Sequence, residues 1–181
     1  MFQQNQNEQI TKIGNWIAER VNKYEKILAL TALAGVLLKV SKIGAGNFLL
    51  VVSLLALVVM YFGSAFALTE AEKDQPKPFI VFARKLVFWG LSVLVNGILF
   101  KLENYPGAMI ILQQGFAIMI FILIIGFYER FKKTELTLMS RRVWIRFGVL
   151  SVICILLFFT PKETMKRYNL ISETNIEGKT K

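Results

Sequence analysis

The sequence predicts an all-α protein: a polytopic transmembrane helical bundle of about five spans, built from two parallel-repeat hairpins plus one further helix. An amphipathic interfacial helix is expected before the first span. Three observations carry this reading. Of the 181 residues, 55% are hydrophobic, and the charges are bunched into short blocks. Between those blocks lie apolar runs of about twenty residues, the length that a hydrocarbon core about 30 Å thick demands of a helix. Finally, NGILFKLENYPGAMIILQQG (96–115) places Lys, Glu and Pro in the middle of an apolar run, the pattern of a hairpin tip at a water boundary.

Residues 1–26 begin with the polar MFQQNQNEQ and continue as the amphipathic helix. Ile10, Ile13, Ile17, Val21, Tyr24 and Leu28 fall within an arc of about 80° at helical spacing, with Lys12, Glu19, Asn22, Lys23 and Lys26 opposite. A helix lying along the membrane face fits this pattern, and Trp16 suits that depth. Docking on a partner helix is the alternative. The opening lacks a basic region and its first apolar run starts late, so no secretory signal is expected; Ala65-Phe66-Ala67 ends a long span rather than marking a cleavage site.

Residues 27–68 form hairpin 1, with spans at 27–43 and 45–68. The polar loop 69–78 follows, where Pro76 and Pro78 oppose helix continuation. Hairpin 2 occupies 79–128, its spans at 79–100 and 108–128 flanking the turn at 101–107. A basic loop covers 129–142, a fifth span runs over 143–160 to Pro161, and 161–181 is a polar, flexible tail.

In the second turn, Lys101 is expected to snorkel its ammonium to water, with Glu103, Asn104 and Tyr105 beyond it. Pro106 suits the first turn of a helix, where its missing N–H is not needed, and Gly107 allows the reversal. Gln113 and Gln114 lie inside the fourth span, so their amides need a helix interface or a wet crevice. Asn96 is the other intramembrane polar candidate. The first hairpin uses a similar device. Gly35 and Lys39 parallel Gly97 and Lys101, and Gly44-Ala45 parallels Gly107-Ala108 with one residue inserted. Both hairpins then point the same way, as in a parallel duplication.

Lys and Arg near the span ends are more numerous on the amino-terminal side and in the 69–78 and 129–142 loops than at the turns, which puts the amino terminus in the cytoplasm. The tail's own cations pull the other way, so its side stays open. The net charge of +10 mostly flanks apolar spans, where it orients the chain and meets anionic lipid. No nucleic-acid motif is visible, and the lipid bilayer is the expected partner, together with a homo-oligomer or membrane-complex subunit.

LFKLENYPGAMIILQQG (99–115) resembles the membrane hairpin of the GldL family, the cytoplasmic-membrane motor proteins of gliding motility and type IX secretion in Bacteroidota. The matching positions are Phe100, Lys101, Tyr105, Pro106, Gly107, Ala108, Leu112 and Gly115, with a weaker copy at 35–63. The resemblance implies a multi-pass protein of the bacterial inner membrane. It also implies an intramembrane glutamate shortly after the early glycine. Here Phe116–Ile120 carries no acid, Asn104 stands where a turn histidine is common, and further spans replace a long cytoplasmic region.

Chemistry-bearing residues are sparse. With no His there is no imidazole base or ligand, and Cys154 alone within a span reads as a small buried hydrophobe. No phosphate loop, dinucleotide fingerprint or acidic metal cluster is present. No catalytic residue, cofactor or metal is expected. Three readings follow: a non-enzymatic structural or accessory subunit; a transporter, channel or ion-driven motor subunit; and a small redox-associated protein of the DoxX type.

Overall fold

A computed structural model describes residues 2–67, 78–132 and 141–170, and these contain six helices and no strand. The helices are α1 (Phe2–Val40), α2 (Ala45–Ser64), α3 (Pro78–Leu102), α4 (Ala108–Lys132), α5 (Arg141–Phe159) and α6 (Lys162–Arg167). The chain runs up and down one bundle: residues of α2 near 58, 62 and 67 meet residues 92, 89 and 84 of α3. Likewise Gly97 of α3 faces Leu112 of α4, and Gly126 of α4 faces Trp144 of α5. Both turns therefore lie at one end, called the tip. The starts of α1, α3 and α5 lie at the other, the base.

Four helices are long and apolar enough to cross a membrane, over Ala45–Ser64, Val81–Leu102, Ala108–Phe127 and Arg141–Phe159. By length and composition this is a multi-pass membrane protein. The centre of the bundle is α3, with 61% of its span buried against 33%, 28% and 22% for α2, α4 and α5. It packs on all three of those helices. Ser92 Oγ donates to Val58 O across the α2 contact at 3.1 Å, and the buried Cys154 thiol donates to Leu94 O at 3.6 Å.

The first pass differs from the expected interfacial helix followed by a short span. A single helix of 39 residues, about 58 Å long, covers both segments. Lys23, Glu25 and Lys26 lie in its middle, and its charge keeps it out of the four apolar spans. The apolar stripe is spent on protein. Gly14 abuts the backbone of Phe66 and Ala67, Ile17 reaches Gly63, and Val21 is buried. Residues 14–40 therefore run antiparallel to α2 and in line with the spans, not across them. Ile10, Ile13 and Tyr24 from the same stripe remain exposed.

Small residues allow the closest contact between α1 and α2. A Cβ on Gly46 would stand 2.8 Å from Gly35 O and nearer still to Lys39 N, and a Cβ on Gly35 would stand 2.7 Å from Leu50 N. All of those atoms are backbone, so neither helix can yield by a rotamer change.

Both turns close in one way. Ile43 N donates to Leu38 O and Tyr105 N to Phe100 O, each at 2.9 Å, around the left-handed residues Lys42 (φ 60°) and Asn104 (φ 55°). This six-to-one bond is the Schellman ending of a helix. Gly107, at φ 82°, completes the second turn before α4.

The expected flexible tail is ordered at its start. Pro161 stops α5, α6 turns back against the tip, and Met165 is fully buried. A helix of six residues is too short to show a sequence period. Most of the 69–78 and 129–142 loops and the tail beyond Leu170 lie outside the described residues. The fourth helix runs on to Lys132, past the expected end at 128.

Gly46→Ala should cost about 1–3 kcal/mol through forced separation of α1 and α2. Gly44→Ala should change stability little, because its Cβ meets open space and its φ is −57°. Unfolding by SDS in mixed micelles separates the two outcomes.

Candidate functional site

The sequence-derived candidates at the tip divide into two groups. In the first, Lys39 at the end of α1 reaches across to hairpin 2. Its Nζ lies 2.7 Å from Glu103 Oε1 and donates to Leu102 O at 3.0 Å. Asn47 in the first turn of α2 donates Nδ2 to Glu103 Oε2 at 3.0 Å. Both carboxylate oxygens are thus used, and the paired side chains are only 9% and 5% exposed. The Schellman ending of α3 releases the chain so that Glu103 turns inward while Asn104 takes the left-handed position. Two hairpins far apart in sequence are joined by one carboxylate.

This placement corrects two expectations. Glu103 is not at a water boundary but buried at 4% exposure. Lys101 does not snorkel to open water; it too is buried, at 6%, and its ammonium donates to the Met109 thioether at 3.5 Å. Glu103 is enclosed by Lys39 and Asn47 of the first hairpin, and Lys101 shares a pocket with Lys162 and Met165 of α6, neighbours that a pattern of separate spans cannot reveal.

Lys101 belongs to the second group, a pocket of about 400 Å³ formed by the 104–110 turn and α6, with Lys162 on its wall. Tyr105 stands at its edge, 44% exposed, with its ring against Phe100 at a centroid distance of 5.2 Å. Pro106 and Gly107 also line it.

The structure does not bring Asn96, Gln113 or Gln114 into either group. Asn96 is half-buried on α3. Gln113 and Gln114 are exposed on the outward face of α4, in a stripe with Ile110, Ala117, Ile120 and Ile124.

A second polar cluster near the base escaped the sequence reading. Tyr61 Oη of α2 donates to Glu25 Oε1 at 2.6 Å, and Glu25 Oε2 lies 2.5 Å from Arg146 Nη2 of α5. Arg146 also donates to Asn22 Oδ1 at 2.8 Å. The available signal was the arginine in VWIRFGV, a guanidinium inside an apolar span that requires a carboxylate. Arg84 on α3 makes a further tie to Ala67 O.

Ion pairs thus join separate helices near both ends of the bundle. Such pairs fix register more than they add net stability, because desolvation offsets most of the attraction. Among the described residues, no three His, Cys, Asp or Glu side chains gather as metal ligands. Comparison with family models, with curated proteins and with solved structures found no match to this chain.

Glu103→Leu leaves the Lys39 ammonium buried without its carboxylate and should cost about 3–5 kcal/mol. Adding Lys39→Met to that variant should recover a large part of the loss. If SDS unfolding shows the two substitutions to be additive, the tie between the hairpins carries no coupling energy.

Proposed function

We propose that this chain is a non-enzymatic assembly subunit of a bacterial inner-membrane complex, binding its partner through the outward face of α4. The observation that carries this reading is the exposure of Gln113 and Gln114 inside an apolar span. Hydrocarbon offers an amide neither donor nor acceptor, and polar side chains at such positions act as interhelical contacts. A glutamine amide both donates and accepts, so a second α4 crossing at this level pairs with the first. The flanking surface, Ile110, Ile120 and Ile124, supplies the packing.

Several features support the rest of this reading. The cation-rich base end, with Lys12, Lys23, Lys26, Arg141 and Arg142, supports an amino terminus in the cytoplasm. The shared Schellman ending at Lys42 and Asn104, each three residues after a lysine, supports two hairpins related as parallel repeats. An accessory place in a gliding or secretion complex is what the GldL-like turn implies, without the motor step that an intramembrane acid would perform.

A photo-crosslinking residue at position 113 or 114 in cells should give an adduct, whereas one at the exposed Val52 of α2 should give much less. Gln113→Leu with Gln114→Leu should weaken association by about tenfold, in keeping with about 1–2 kcal/mol for polar interhelical contacts. A protein that runs as a monomer in mild detergent and yields no adduct at either glutamine ends the proposal.

A further inference from the structure

We infer that the pocket between the second hairpin tip and α6 binds a phosphate group, held by Lys101, Lys162 and the amino-terminal end of α4. Three independent features converge there. The first is Lys101, more than nine-tenths buried and lining the pocket. Its one hydrogen-bond partner among the described residues is the Met109 sulfur at 3.5 Å, and a thioether is only a weak acceptor. A buried ammonium with no carboxylate beside it is expensive unless an anion joins it.

The second feature is Lys162, which also lines the pocket and makes no ion pair among the described residues. Two lysines lining one cavity repel each other, and an anion bound there turns that repulsion into attraction. The carboxylate nearest in sequence to Lys101, Glu103, is bonded to Lys39 and Asn47, and Glu163, next to Lys162, does not line the pocket.

The third feature is the start of α4, a helix of 25 residues. Gly107, Ala108, Met109 and Ile110 line the pocket. Pro106 has no N–H, while the Gly107 and Met109 amides have no backbone acceptor among the described residues. Free amides and the positive end of a helix dipole favour a phosphate. With a charge near −1 to −2 and several acceptor oxygens, a phosphate can engage both ammonium groups and an amide together. Chloride cannot bridge them in that way.

The phosphate has two possible sources, a phospholipid headgroup or the soluble ion. The outer wall is apolar and continues into the exposed side chains of Met109 and Ile110, a surface along which an acyl chain can lie. The test uses the full chain purified in mild detergent, at constant ionic strength. The thermal unfolding midpoint is measured on titration with short-chain phosphatidylglycerol in one arm and inorganic phosphate in the other. Native mass spectrometry counts the phosphatidylglycerol bound.

Saturable stabilisation by phosphatidylglycerol, with one retained molecule per protomer, identifies a headgroup. Equal stabilisation by inorganic phosphate identifies the soluble ion. In either case Lys162→Gln, a substitution on an exposed helix, should weaken binding by about fivefold. Lys101→Met should weaken it further, and Lys101→Arg should retain it even where the methionine variant folds poorly. The inference fails if neither ligand shifts the midpoint, or if Lys162→Gln and Lys101→Arg/Lys162→Gln respond as the unsubstituted protein does.

Discussion

Helices in hydrocarbon have little to gain by exchanging lipid contacts for contacts with one another, since both surroundings are equally apolar. Association has to come from backbones that approach closely or from polar groups that find each other. This chain uses both, in different places. Gly35 and Gly46 bring α1 and α2 to backbone contact, and the pairings that set the bundle's register cluster toward its ends. Between the ends, α3 is enclosed mainly by Leu, Val and Ile side chains, with single bonds from Ser92 and Cys154.

The ends do not perform the same task. Toward the base, Glu25 lies between Tyr61 and Arg146, so the first helix, which is too charged to count among the apolar spans, is fastened to two that do. At the tip, Glu103 fastens the two hairpins. Without these ties α1 would still pack on α2 through Gly14, Gly35 and Gly46, but Glu25 would lie beside an apolar helix without a partner. The pairs therefore decide where a mixed helix can sit, and that role does not require them to add much net stability.

Much of this was legible in the sequence because the signals are local. Twenty-residue apolar runs fix α2 and α5 closely, and the Pro-Gly-Ala of the second turn marks the start of α4 at Ala108. The mobility of charge along a long side chain was not legible. Lys39 and Lys101 occupy equivalent places after a glycine, yet one is paired with Glu103 across 64 positions of sequence and the other is not. No local pattern encodes that choice, and the same holds for Glu25 with Arg146. The stripe from Ile10 to Leu28 was visible, but a period alone does not say whether the apolar face meets lipid or protein. The partly buried Ile17 of that stripe packs against Gly63 of α2 in the same chain.

The unequal count at the tip follows from this geometry. Each hairpin brings one enclosed lysine to its tip, Lys39 and Lys101, but only the second brings a carboxylate, and it turns toward Lys39. Glu103 turns to the first hairpin, with one oxygen on Lys39 and the other on Asn47, and makes no ion pair with Lys101 among the described residues. Lys101 then shares its pocket with Lys162 and Met165 of α6, and no acidic residue lines it. Had Glu103 paired with Lys101 inside its own hairpin, the two hairpins would lack their cross-tie and Lys39 would be the cation in excess. Joining the hairpins through a single carboxylate leaves the buried Lys101 without a carboxylate partner among the described residues, and the fold places it in a pocket that Lys162 also lines.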